Sequence, residues 1–299
     1  MLLLFLPVLP LVAGHGGVLW PPSWQDSKGV PLENITSFMV HASPEVKDPK
    51  IPGKRIRNIK RWLTDNAYLG GVGEEYKGVG NATNPECPED EKCGRDKTPW
   101  AAPGQAVSLG GGCGVFGGNP HGCYSNDTRP PGSICGGKGT FMGGSDAREV
   151  EFPNNLTTVW EMGSREEVAW VGKGYHKGGY TYRLCKLPPE GKGGLTEECF
   201  ARTVLRFATD YTMIRPIETP GDWVRVDQTD LTTGTYPPGS AWRHVAKIRW
   251  NNGDGYLRKD LVDIPADLPL GDYVLGFRWD TKDPQIWVSC SNIRLVSKQ

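Results

Sequence analysis

From residue 149 to its end the chain is built of short apolar runs, and none of them keeps a helical period for long. Tyr180, Tyr182 and Leu184 make the plainest case. Alternate residues are apolar there, as in a strand with one face buried. Val159–Met162, Val168–Val171, Thr203–Phe207, Trp223–Val226, Val245–Trp250, Asp260–Pro265, Asp272–Asp280 and Gln285–Val296 read as further strands. Turn residues separate them. Many short strands without helices to cover them can bury their apolar faces only against another sheet, so an all-β sandwich is expected.

Composition agrees. The 299 residues include 40 Gly, 25 Pro and 11 Trp, a loop-rich and aromatic-rich profile. Formal net charge is zero, which argues against nucleic acid or a membrane surface held by bulk charge. All eight cysteines, Cys87, Cys93, Cys113, Cys123, Cys135, Cys185, Cys199 and Cys290, follow residue 14, and none forms a CxxC pair. An even number in a secreted chain points to disulfides. Cys185 and Cys199 bracket a Pro/Gly-rich loop and are expected to pair; the other pairings stay open. The Gly-rich stretch 101–147 reads as loops held by disulfides. Sequons at Asn34, Asn81, Asn126 and Asn155 fit a secretory route.

The other end of the chain carries the chemistry. Residues 1–14 are apolar, interrupted by Pro7 and Pro10, and close on Ala13-Gly14. That is a short signal peptide, too short to span a bilayer. Cleavage after Gly14 makes His15 the first residue of a single domain, 15–299, that is secreted to the extracellular space. An N-terminal histidine offers an α-amine and an imidazole from one residue, and nitrogen-rich ligand sets favour Cu(II). The bland alternative is that cleavage merely leaves a histidine. Val18 and Leu19 extend from it toward Pro21-Pro22, which end any ladder. Trp20 and Trp24 flank that pair, either as packing or as flat surfaces for a sugar ring. His176 stands among glycines just before the Tyr180 strand, either as an ordinary turn histidine or as a side chain able to point into an open surface without crowding.

Three pieces in this order resemble lytic polysaccharide monooxygenases. They are His15-Gly16 after a signal peptide, His176-Lys177-Gly178-Gly179-Tyr180, and the closing strands. The last of these carry Arg278-Trp279-Asp280 and then Gln285-Ile286-Trp287-Val288-Ser289-Cys290. The Cys185–Cys199 loop and the Cys113-Gly114 region are similar to auxiliary activity family 15. The resemblance implies an immunoglobulin- or fibronectin-III-like β-sandwich, disulfide-stapled, with long loops, short helices and a flat copper face. It implies one copper held by the His15 amine, the His15 ring and the His176 ring. It further implies oxidative cleavage of glycosidic bonds in crystalline chitin or cellulose, using O2 or H2O2 and a small-molecule or protein electron donor. The implied partner is the polysaccharide surface, met by a monomer, with neither nucleic acid nor membrane. Trp287 occupies the position that is usually Tyr or Phe on the copper axis, and Gln285 the position that contacts bound oxygen in related families. The alternative is a non-catalytic secreted polysaccharide- or copper-binding protein on the same fold. A hydrolase reading requires a carboxylate pair, and the sequence offers no marked candidate.

Overall fold

A computed structural model describes residues 15–24, 65–68, 103–104, 110–116, 145–152, 156–173, 178–217, 222–245, 255–280 and 285–298. In chain order the strands are β1 (His15–Trp20), β2 (Asp65–Tyr68), β3 (Val115–Phe116), β4 (Ser145–Asp146), β5 (Thr157–Glu161), β6 (Arg165–Lys173), β7 (Gly179–Lys186) and β8 (Arg206–Phe207). They continue as β9 (Tyr211–Pro216), β10 (Val224–Asp227), β11 (Asp230–Leu231), β12 (Trp242–His244), β13 (Tyr256–Asp263), β14 (Gly271–Asp280) and β15 (Gln285–Val296). One short α-helix, α1 (Glu197–Ala201), and two 3-10 turns, Gly110–Gly112 and Gly191–Gly194, lie among the described residues. The signal-peptide expectation for 1–14, Cys87, Cys93, Cys123, Cys135 and all four sequon asparagines fall outside them.

The strands form two sheets. The first runs β1-β6-β13-β9-β10, with β8 also on β13. The second runs β11-β12-β7-β14-β15-β2-β3-β4, with β5 parallel to the end of β15. Val18, Val168, Trp170 and Val262 of the first sheet pack against Tyr180, Tyr182, Leu184, Phe277, Trp279 and Trp287 of the second. This two-sheet sandwich is the expected all-β fold. Its aromatic centre is Trp170, whose ring centroid lies 4.9 Å from Tyr180, 5.0 Å from Phe277 and 5.1 Å from Trp279. Such tilted pairs add about 0.5–1.5 kcal/mol each beyond their buried area.

Polar residues also cross this interior. Arg243 of β12 and Asp260 of β13, one from each sheet, form a fully buried ion pair at 3.0 Å. Thr212 Oγ1 donates to Asp260 at 2.5 Å and Tyr180 Oη at 2.9 Å, while the Arg243 guanidinium lies 3.9 Å from the centroid of the Phe207 ring. Burial pushes the Asp260 carboxyl up, and Arg243, Thr212 and Tyr180 pull it back. Burial also pushes both tyrosines well above their ordinary range, so they stay neutral donors.

Strand β7 departs from expectation. It is buried on both faces rather than one. On its outer side Thr181 donates to the Ala241 carbonyl at 2.9 Å, Arg183 pairs with Glu197 of α1, and Cys185 is bonded to Cys199. The expected Cys185–Cys199 disulfide is present, and a second joins Cys113 to Cys290, fixing part of the Gly-rich region to β15. Helix α1 is capped by Thr196, whose hydroxyl accepts from the Cys199 N–H at 3.2 Å, and carries Glu197 and Glu198 in its first turn. The expected strand at 260–265 begins earlier, at Tyr256, and ends at Asp263. Of the expected strand at 203–207 only Arg206–Phe207 is formed. Val245, the one described residue of 245–250, lies just past β12.

Replacing Arg243 by Met leaves the Asp260 charge buried and unmatched, a loss of about 3–5 kcal/mol in urea denaturation at neutral pH. Without Arg243 the folded-state pKa of Asp260 rises further above its unfolded value. Stability is then lost as pH rises through that folded value, so the deficit of the variant is expected to shrink as pH falls toward 4. The double variant Arg243→Met/Asp260→Leu is expected to recover most of the loss; a simple sum of two losses would contradict the pairing.

Candidate metal site at one end of the sandwich

His15 opens β1, and its backbone pairs with Lys173, the last residue of β6. Strand β1 is also fastened to the other sheet. The Val18 N–H donates to Ser289 Oγ of β15 at 2.8 Å. Just beyond β1, Ser291 Oγ donates to the Pro21 carbonyl at 3.0 Å, and the Trp24 N–H donates to the Cys290 carbonyl at 2.9 Å. The ladder stops at Trp20, as the proline pair requires. Trp24 is buried, with its indole N–H on Asn292 at 2.8 Å, so it packs rather than offering a flat surface.

The same end of the sandwich holds the other pieces. Gly179, the first residue of β7, is paired with Asp280 on one side and His244 on the other. Gln285 opens β15 opposite Tyr68. His176 belongs to residues 174–177, between the end of β6 and Gly178, and lies outside the described residues. The side chains of His15 and Gln285 also lie outside them. Trp287 is fully buried in the inter-sheet core, its backbone opposite Trp279. The register therefore brings His15 opposite the strand end that leads to His176, and fastens it to the strand that carries Gln285 and Trp287.

Two glycines set how closely the core approaches His15. Gly16 and Gly172 are direct partners across β1 and β6. A Cβ on Gly16 would lie 2.7 Å from Trp279 and 3.3 Å from Trp170. A Cβ on Gly172 would lie 2.9 Å from Trp170 and 3.1 Å from the Arg258 guanidinium. The residue after His15 must therefore be small, because indole rings occupy the space a side chain would fill. Among the described residues no group of three His, Cys, Asp or Glu comes together. An amine and two imidazoles would nonetheless be a donor set suited to Cu(II), so the chemistry of these residues fits that ion.

The buried carboxylates have structural partners. Asp280 accepts from Arg278 Nε at 2.7 Å and Nη2 at 3.0 Å, and from the Gly104 N–H at 2.9 Å. Arg278 also pairs with Glu197, the residue that pairs with Arg183. Asp260 is held by Arg243 inside the sandwich. Both buried aspartates among the described residues are thus bound to arginines, an arrangement ill suited to the acid–base pair of a hydrolase. Sequence reasoning missed Arg258, a buried cation whose guanidinium lies 4.7 Å from the centroid of the Trp170 ring. A charged residue at an inward strand position gives no apolar signal, so nothing in the pattern marks it.

No protein-family model matches the chain, and no curated protein matches it. Among solved structures, an AA10 lytic polysaccharide monooxygenase from Streptomyces lividans is 16% identical, with 46% of this chain and 59% of that one covered at a TM-score of 0.24. A family 123 glycoside hydrolase from Clostridium perfringens is 8% identical, with 47% and 23% covered, also at 0.24. Likenesses this slight carry no argument about fold or activity. None of the described helices is long and apolar enough to cross a membrane.

Gly16→Ala is expected to cost about 1–3 kcal/mol by overpacking and to alter the near-ultraviolet circular dichroism of the tryptophans. Gly193→Ala, where an added methyl meets nothing within 4 Å, serves as the control. Equal stability of the two variants would mean that Trp279 does not lie against β1.

Proposed function

We propose that this protein is a secreted copper-dependent monooxygenase acting on a crystalline polysaccharide, chitin or cellulose. The observation that carries the reading is the placement of His15: it pairs with the end of the strand leading to His176, on a β1 strand fastened to the strand of Gln285 and Trp287. Removal of residues 1–14 frees the His15 amine. That amine, the His15 ring and the His176 ring would hold the metal. When bound, copper supplies the redox chemistry by which O2 or H2O2, with electrons from an external donor, oxidises a glycosidic C–H bond.

The chain's own residues prepare that site. Gly16 and Gly172 let Trp170 and Trp279 form a dry aromatic floor next to His15. Trp287 belongs to the same buried cluster and makes the inner wall bulky and apolar where a smaller aromatic is usual. Gln285 is proposed to orient the co-substrate. The Cys185–Cys199 loop and the Cys113-Gly114 region support auxiliary activity family 15 within this class.

The test is release of oxidised oligosaccharides from chitin and from cellulose by the copper-loaded protein with a reductant and O2 or H2O2. Products are expected only when both reductant and oxidant are present. His176→Ala is expected to lose both the products and tight Cu(II) binding. Tight copper binding without oxidised products would favour a non-catalytic binding protein, and unchanged affinity in His176→Ala would remove that residue from the ligand set.

A further inference from the structure

Trp24 packs inside the fold and offers no face to a sugar ring. Of the aromatic side chains described, that of Tyr236 alone is exposed, at 42%. Among the described residues no ring or cation stacks on it and no group bonds its hydroxyl. It stands on the connection between β11 and β12, and Leu231 to Ala241 include no Asp, Glu, Lys or Arg in a chain that is 23% charged. Thr232 and Thr233 are exposed in the same loop. The loop's backbone is held firmly. Buried Thr235 donates to the Thr232 carbonyl at 3.2 Å, and the Ser240 N–H donates to the Pro237 carbonyl at 3.0 Å. The Tyr236 N–H donates to the Pro103 carbonyl at 2.8 Å, and the next residue, Gly104, donates its N–H to Asp280 at 2.9 Å. Gly104 has a φ of 86°, and a Cβ there would collide with the Tyr236 carbonyl oxygen. Asp280 ends β14 opposite Gly179, so the loop is fastened at the His15 end of the sandwich.

We infer that the Leu231–Ala241 loop binds an uncharged polysaccharide chain, with the Tyr236 ring stacked on one pyranose. The inference rests on the functional reading above and does not involve the metal. The axial C–H groups of a pyranose make an apolar face that suits an aromatic ring, while its equatorial hydroxyls call for polar neighbours such as threonines. Chitin and cellulose carry no charge, so a charged loop laid against them would lose hydration without gaining an ion pair. A backbone already ordered by Pro103, Gly104 and Pro237 loses little further freedom when the chain is bound.

The experiment measures binding isotherms of the mature full chain on crystalline chitin and on cellulose, without reductant so that no polymer is consumed. Tyr236→Ala is expected to bind about tenfold more weakly to the polymer that the wild type binds, the loss typical of a central aromatic contact. Its melting temperature is expected to stay unchanged, because the ring it removes is exposed. Tyr236→Phe keeps the ring and is expected to stay within about twofold of the wild type. Unchanged binding by folded Tyr236→Ala overturns the inference, as does a loss in Tyr236→Phe equal to that in Tyr236→Ala. Tyr236→Gln carries the same expectation and refutation where the Ala variant does not fold. A wild-type chain that binds neither polymer refutes the polysaccharide reading itself, a distinct outcome.

Discussion

Strand β1 is held by both sheets at once, and the candidate site depends on that. Its backbone ladder with β6 sets the register of His15 against Lys173. The Val18 bond to Ser289, with the bonds of Pro21 and Trp24 just beyond the strand to Ser291 and Cys290, binds it to β15, which the Cys113–Cys290 disulfide ties to the Gly110–Gly114 loop. A strand held on one side only would leave its first residue free to fray. Held on two sides, His15 has a fixed backbone, which its proposed role as a metal ligand needs.

That position constrains the core beneath it. Trp170, Tyr180, Phe277, Trp279 and Trp287 fill the interior next to β1, and this close packing is compatible with the strand only because Gly16 and Gly172 face each other. Farther in, Arg243 and Asp260 link the sheets through a pair with no exposure to solvent. Such a pair contributes less to net stability than to keeping one arrangement of the sheets, since a misregistered sandwich would strand both charges.

Much of the fold was legible because its signal is apolar alternation. β7, β14 and β15 follow from Tyr180, Tyr182, Leu184 and the closing aromatic run, and the Cys185–Cys199 pairing follows from the loop it brackets. Three stretches were not legible for one physical reason: their inward positions are polar. Arg258 hides the first half of β13, Thr212 interrupts β9, and Arg243 hides β12. The two-sided burial of β7 was equally hidden, because α1 and the Ala241 carbonyl that cover it are distant in sequence. At the site, His15, His176, Gln285 and Trp287 stood out as residues in motifs. The role of Gly172 and the presence of Arg258 beside it emerge only from strand register.

The central claim is that the His15 amine is a metal ligand. The direct measurement is electron paramagnetic resonance of the protein loaded with one equivalent of Cu(II), with the N-terminus established by mass spectrometry. A chain beginning at His15 is compared with one carrying a single extra glycine before it. An axial spectrum with nitrogen couplings is expected for the first and loss of one nitrogen, with weaker binding, for the second, because the added residue turns the amine into an amide. Identical spectra for the two chains would contradict it.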